Sequence, residues 1–244
     1  MRFQVISDLH LNFHRDEGLT LFSEMFDISE DVDFLLIAGD LAPATRLEEY
    51  RKFFDRICSA YPMVFAVMGN HDYYHSSFEE SRKLYAEFLK DFPNFKMLDR
   101  SIEEYQGVKV AGATLWFQDT PDSDRYDYMW NDFSIIKQFR EHVYQEELAD
   151  REFLLSAEAD IYMTHHLVSS QSVAPRYVGS QTNRFVLNPI LDGEGSNRET
   201  KNKIWVHGHT HTPCSYQHKN GMVMCNPLGY PHENANYQNL YGEI

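Results

Sequence analysis

The sequence predicts an α/β protein with two β-sheets, on three observations. Apolar runs with the length and bounds of buried strands recur along the chain. Segments with helical spacing separate the first of them, the alternation expected of a parallel sheet. After Pro93 the rhythm changes to short strands divided by turns, which marks a second sheet. With 244 residues, 43% apolar and 14% aromatic, the chain can bury a large core. One α/β domain or two small ones are allowed at this length, and a single domain over residues 1–244 is expected.

Phe3 to Ile6 is the first apolar run, and Leu19 to Phe26 then shows helical spacing. A second strand is expected at Phe34 to Ala38. Leu47 to Tyr61 reads as a helix, because Leu47, Tyr50, Phe53, Phe54 and Ile57 fall near the i, i+3, i+4 pattern of one buried face. The next strand covers Met63 to Met68. A helix follows from Ser76 to Phe92, with Ser76 and Ser77 as capping candidates, Glu79 and Glu80 where the helix dipole favours acids, and Pro93 as terminator. Short strands are expected at Lys96 to Leu98, Ser101 to Tyr105 and Val108 to Leu115, the last after a turn at Gln106-Gly107. Residues 118–136 are polar and aromatic without periodicity, as a surface excursion would be. Gln138 to Ala157 looks helical, and Ile161 to Met163 and Ile204 to Val206 read as strands. The stretch 167–202 carries Pro175, Gly179, Pro189, Gly193 and Gly195 and reads as a long loop, functional or disordered. Ser215 to His218 and Met222 to Cys225 flank Asn220-Gly221, a two-residue hairpin signal.

Five polar islands close five of the apolar runs: Asp8-Leu9-His10, Gly39-Asp40, Gly69-Asn70-His71-Asp72, His165-His166 and Gly208-His209-Thr210-His211. Side chains just past the carboxyl ends of strands can converge in the crevice of an α/β sheet although they are distant in sequence. Asp8 and His10, like His209 and His211, are spaced so that an extended backbone would project each pair to one side. Carboxylate, amide and imidazole donors together suit zinc, manganese, iron and neighbouring metals, and the absence of cysteine from the islands argues against thiolate-only coordination. Glycine before Asp40, Asn70 and His209 permits sharp turns and close backbone approach. Taken singly, each island has an ordinary reading: Asp8 as a cap, Gly39-Asp40 as a turn, Asn70 as a left-handed position, His165-His166 as a hydrogen-bonded strand end. Their joint occurrence, each behind an apolar run, favours a metal site.

On these residues the chain resembles the calcineurin-like metallophosphoesterase superfamily, in its small bacterial and phage members. The resemblance implies a four-layer α/β/β/α sandwich of two mixed sheets with flanking helices. It also implies two divalent or mixed-valence transition-metal ions, of manganese, iron, zinc or nickel. One would take Asp8, His10 and His211, the other Asn70, His165 and His209, with Asp40 bridging. His71 then becomes the group that stabilises or protonates the leaving oxygen, with Asp72 orienting or polarising its ring. His166 and His207 are expected to support the ligands from outside rather than to bind metal. Two metals about 3.5–4 Å apart lower the pKa of a bridging water for in-line attack on phosphorus.

The implied activity is hydrolysis of a small phosphodiester or an activated phosphomonoester by a metal-bridging hydroxide. Alternatives are a nuclease of the same superfamily and a noncatalytic scaffold of the same fold. Protein serine/threonine phosphatases and symmetrical dinucleotide hydrolases follow Gly-Asp with Asp-Arg-Gly, whereas this chain continues Leu41-Ala42-Pro43. Lipid-A pathway hydrolases place arginine where His71 stands. A net charge of -15, from 22 basic and 37 acidic residues, disfavours a general attraction to long nucleic acid, without forbidding a local basic groove. It is easier to reconcile with a small phosphorylated substrate. Arg176, Tyr177 and Arg125 are the candidate contacts to phosphate and base, with incidental loop packing as the alternative. Asn226 to Tyr230 is a segment that either returns to the rim of the site or anchors the tail. No run of about 18 apolar residues suggests a membrane span, and Met1-Arg2-Phe3 enters a strand without a signal-peptide pattern. A cytoplasmic protein is therefore expected. Cys58, Cys214 and Cys225 show neither a CxxC pair nor an even count and are read as buried thiols. Oligomeric state is not legible.

Overall fold

Continuous apolar runs arise where a strand is covered on both faces, and that is the environment of β1 (Arg2–Ile6), β2 (Phe34–Ala38) and β3 (Val64–Val67). They pair in parallel, with β4 (Phe95–Leu98) beside β3. The computed structural model describes residues 1–20, 31–120, 122–192, 203–219, 221–234 and 236–244. The second sheet contains β5 (Ser101–Tyr105), β6 (Val108–Gly112), β7 (Ile161–Met163), β8 (Ile204–Val206), β9 (Cys214–His218) and β10 (Gly221–Cys225), in the order β5-β6-β7-β8-β10-β9. Its central strands are parallel, and antiparallel partners close both edges. Both sheets are thus mixed, because β11 (Leu240–Glu243) adds to β1 antiparallel in the first.

Strand alternation sorts the core into layers. Phe3, Val5, Phe34, Leu36, Phe65 and Val67 face Val110, Ile161, Met163, Val206 and Met224 of the opposite sheet. The next residues along, including Ile6, Leu35, Ile37 and Ala66, pack outward against α1 (Arg51–Ala60) and α2 (Phe78–Phe88). On the far side Ala111, Tyr162, Trp205 and Val223 meet Leu154 of α4 (Phe139–Ser156). Helices on the outside of two facing sheets give the four layers α/β/β/α.

Several element boundaries depart from the sequence reading. The segment expected as a helix from Leu47 begins as a 3-10 turn over Ala44–Tyr50 and becomes α-helical at Arg51. In α2 the cap is Ser77, whose hydroxyl accepts from Glu80 N at 3.3 Å, and the helix tightens into a 3-10 turn at Leu89–Asp91 before Pro93. The strand expected to reach Leu115 ends at Gly112, and β11 (Leu-Tyr-Gly-Glu), with a glycine and an acid in its four residues, does not stand out as an apolar run. The excursion 118–136 includes a short helix, α3 (Asp132–Ile135), and buries Asp127 and Asp132. The described part of 167–202 consists of 3-10 turns at Ser170–Ser172, Pro175–Tyr177 and Gln181–Phe185, while 193–202 lies outside the described residues. So do 21–26 of the helix expected from Leu19, and Asn220 of the hairpin, although Gly221 pairs with His218 as that hairpin requires. Only Cys225 is a fully buried thiol; Cys58 and Cys214 are half-buried. No described helix is long and apolar enough to cross a membrane.

Phe54 on α1 gathers the rings of Phe88, Phe92 and Phe95 at centroid distances of 4.8, 5.6 and 5.3 Å. Phe54→Ala should cost about 3–5 kcal/mol through lost burial and a residual cavity, read as a lower urea midpoint with an unchanged slope.

Candidate active site

The islands meet in one crevice where the carboxyl ends of β1, β2, β3, β7 and β8 come together. The backbone there is unusual. Asp8, His10, Asp40, His209 and His211 all have positive φ, at 54°, 45°, 57°, 68° and 48°. Left-handed backbone at non-glycine residues costs of order 1–3 kcal/mol each and gathers at functional sites. The extended geometry expected for the Asp8–His10 and His209–His211 pairs is therefore corrected. Left-handed turns reorient each side chain, and His209 and His211 point to different donor groups.

The first group comprises Asp8, His10, Asp40 and His211, and the second Asp40, His165 and His209, with donor atoms in each lying within 4.8 Å of one another. His10 Nε2 is 3.0 Å from His211 Nε2 and 3.6 Å from Asp40 Oδ2, and His211 Nε2 is 3.4 Å from Asp8 Oδ1. In the second group His165 Nε2 is 3.0 Å from His209 Nδ1, 3.1 Å from Asn70 Oδ1 and 3.4 Å from Asp40 Oδ1. Asp40 is the shared member, with one oxygen toward each group. Ring nitrogens facing each other at hydrogen-bond distance, together with carboxylate and amide oxygens, form a donor set suited to two transition-metal cations.

Donor orientation is set by a surrounding layer. His165 Nδ1–H donates to Ala38 O at 2.9 Å, which turns Nε2 toward the other donors. His211 Nδ1 meets Glu233 Oε2 at 2.7 Å. Asp132 accepts from Asn70 Nδ2 (3.0 Å), the Tyr74 hydroxyl (3.0 Å) and Trp130 Nε1 (2.8 Å), which turns the Asn70 oxygen toward His165. Asp8 accepts from the His209 backbone N–H at 3.0 Å. Glycine is required at two approaches: a Cβ on Gly69 would sit 2.2 Å from Asp40 Oδ1, and one on Gly39, at φ 85°, would sit 2.3 Å from His165 Nδ1.

His71 and Asp72 do not form the expected pair. The Asp72 carboxylate accepts from the backbone N–H groups of Gly69, Asp40, Leu41 and Ala42 and from the Tyr85 hydroxyl, at 2.7–3.0 Å. Those donors account for both oxygens, so it holds the loops instead of the His71 ring. His71 lies on Tyr74 with ring centroids 4.1 Å apart, and its Nε2 is 3.2 Å from the Tyr230 hydroxyl. Burial, reinforced by Asp40, pushes Asp72 up to about 7.

His166 is buried with its ring 4.5 Å from that of His209, and burial lowers it to about 3, so it stays neutral. His207 does not touch His209; its Nε2 meets the Ser172 hydroxyl at 2.8 Å. Arg176 and Tyr177 line the cavity above the donor groups, of about 390 Å³, with Trp130, Tyr74 and Tyr230. Arg125 is corrected: it is absent from that lining and instead lies over Tyr126. The segment Asn226 to Tyr230 returns to the rim, where the Tyr230 ring stacks on His10 at 4.6 Å. Asp132 and Glu233 were missed from sequence, and Tyr230 was legible only as part of the Asn226–Tyr230 segment, without a role of its own. The aromatic and acidic cluster around Asp132 and the Tyr230-to-Glu233 turn are weak signals that acquire meaning only from their contacts.

A family model described as calcineurin-like phosphoesterase matches residues 1–213. Protein L509 of Acanthamoeba polyphaga mimivirus is 24% identical over 98% of this chain and 94% of its own. The metallophosphoesterase-like protein YydB of Bacillus subtilis (strain 168) is 27% identical over 57% of this chain and 31% of its own. Among solved structures, phosphopantetheinyl hydrolase (PptH) from Mycobacterium tuberculosis shares the fold, with a TM-score of 0.70 at 17% identity, covering 95% of this chain and 90% of that one.

Without metal, burial lowers His165 and His211, but Asp40 and Asp8 more than offset it and raise both to about 9. Both imidazoles are then protonated at neutral pH and must lose that proton to bind a cation. Metal affinity should rise with pH up to about 9 and uptake should release protons, measured by calorimetric titration in buffers of different ionisation enthalpy. Gly69→Ala should abolish uptake at the second group, read by elemental analysis.

Proposed function

Because this chain belongs to the calcineurin-like phosphoesterase family, we propose that it is a metal-dependent phosphoric ester hydrolase. In this reading residues 1–244 form a single domain acting on a small phosphodiester or an activated phosphomonoester. One observation carries the reading: Asp40 is shared by two converging donor groups. Asp8, His10 and His211 would hold one cation and Asn70, His165 and His209 the other, with manganese, iron, zinc and nickel all compatible with the donors. When bound, the pair supplies Lewis-acid charge and acidifies water for attack on phosphorus.

The remaining work falls to the chain. His71 sits at the cavity wall within reach of the first donor group, its ring clamped between Tyr74 and the Tyr230 hydroxyl. It is the group placed to give a proton to the leaving oxygen. Burial, with a push from Asp40, raises Tyr230 above its phenolic range. Tyr230 therefore stays protonated and fixes the His71 ring without competing for its role. Arg176 and Tyr177 line the same cavity, where a guanidinium can pair with a phosphate oxygen and a ring can cover an apolar or planar substrate group. A cavity of about 390 Å³ favours a compact ester over a nucleic-acid strand. The intact donor set favours an enzyme over a noncatalytic scaffold.

Hydrolysis of bis-p-nitrophenyl phosphate and p-nitrophenyl phosphate, compared on metal-stripped protein refilled with each metal, tests the reading. Activity should return with metal and be absent in Asp40→Ala. Failure to bind metal would overturn the catalytic reading, and the better substrate decides between diesterase and phosphatase. His71→Ala should retain metal but lose turnover by roughly 10²–10⁴-fold, most for poor leaving groups. Equal loss across leaving groups would remove the acid role.

A further inference from the structure

Behind the loop that carries His209 and His211 lies a second cluster of donors, built from residues the phosphoesterase reading does not use. The β9–β10 register sets Cys225 directly opposite Cys214. On its other side β10 runs beside β8, and His207 N donates to Met224 O at 3.0 Å, which brings the His207 ring to the same place. The donor atoms of His207, Cys214 and Cys225 lie within 4.8 Å of one another, and His207 Nε2 is 3.9 Å from Cys214 Sγ.

We propose that His207, Cys214 and Cys225 form a binding site for a thiophilic cation such as Zn²⁺, distinct from the groups around Asp40. Tetrahedral zinc, with bonds of about 2.3 Å to sulfur and 2.0–2.1 Å to nitrogen, holds such ligand atoms roughly 3.5–3.8 Å apart. The His207–Cys214 pair is already close to that spacing at 3.9 Å, and donors within 4.8 Å of one another need to close by no more than about 1 Å to reach it. His207 is already oriented as a ligand: Nδ1–H donates to Gly208 O at 3.0 Å, so the lone pair on Nε2 points inward. In the metal-free arrangement the Ser172 hydroxyl donates to that lone pair at 2.8 Å and also meets the Tyr216 hydroxyl at 2.7 Å. Ser172, or a water held by Tyr216, completes a fourth position. Half-buried Cys214 provides the entry side, and buried Cys225 the floor.

Two thiolates and an imidazole are soft donors, whereas the Asp40 groups offer only oxygen and nitrogen, so the two places select different metals. Occupied, the soft site would tie the end of β8 to β9 and β10 and clamp both ends of the segment 207–214. His209 and His211 lie within that segment. A Cys214–Cys225 disulfide is the competing chemistry for a cross-strand pair, but it would give the oriented His207 nitrogen no role.

Cobalt titration of the reduced, metal-stripped chain tests the proposal. Cobalt bound to thiolate gives a near-ultraviolet charge-transfer band that oxygen and nitrogen donors do not. The band should appear in the native chain, persist in Asp40→Ala, vanish in Cys214→Ser and Cys225→Ser, and bleach when Zn²⁺ is added. Persistence in Asp40→Ala separates this site from the proposed hydrolytic centre, so either reading can fail alone. As a check needing no substitution, Zn²⁺ should protect Cys214 from alkylation in the native chain. Absence of the band with unchanged alkylation would overturn the proposal. A Cys214–Cys225 disulfide that forms equally with and without zinc, seen by mass spectrometry, would do the same.

Discussion

The crevice depends on one buried carboxylate. Asp72 gathers the backbone N–H groups of Gly69, Asp40, Leu41 and Ala42, and so joins the loop after β2 to the loop after β3. An isolated carboxylate would be costly to bury, and charge-assisted hydrogen bonds from backbone donors are what make it tolerable. Since Asp40 and Asn70 stand on these two loops, their separation follows from this junction. The left-handed turn at Asp40 is held by it as well. Tyr85 of α2 extends the junction outward, with its hydroxyl on Asp72 and on the Ala42 carbonyl.

Around that junction each donor is aimed by a different kind of partner. A strand carbonyl orients His165, a carboxylate from the C-terminal segment orients His211, and a carboxylate from the 118–136 excursion orients the Asn70 amide. A metal site needs such outer partners because an imidazole or amide free to rotate presents its donor atom only part of the time. The same partners bind distant segments to the sheets. Asn226 shows this at the tail, donating to Val5 O on β1 and to the Tyr237 hydroxyl, which keeps Tyr230 over His10. Charge follows the same economy. His10 and His166 are kept neutral by burial, while His165 and His211 are raised by their carboxylate neighbours.

The chain by itself determined the layers and the list of donors. Strands covered on both faces must be continuously apolar, so β1, β2 and β3 announce themselves, and Asp8, His10, Asp40, Asn70, His165, His209 and His211 stand out as polar residues just past the ends of apolar runs. Tertiary structure decided the partners. Asp72 sits next to His71 in sequence, yet its oxygens go to the Gly69 N–H, to backbone donors on the loop after β2 and to the Tyr85 hydroxyl. Asp132, Tyr230 and Glu233 carry no local pattern, because their role lies in contacts across 62, 159 and 22 residues of sequence. Cys214 and Cys225 have no metal-site spacing along the chain, and only the register of antiparallel β9 and β10 sets them face to face beside His207. Periodicity records burial, which each residue experiences locally, whereas hydrogen-bond and ligand geometry depends on segments that meet only after folding.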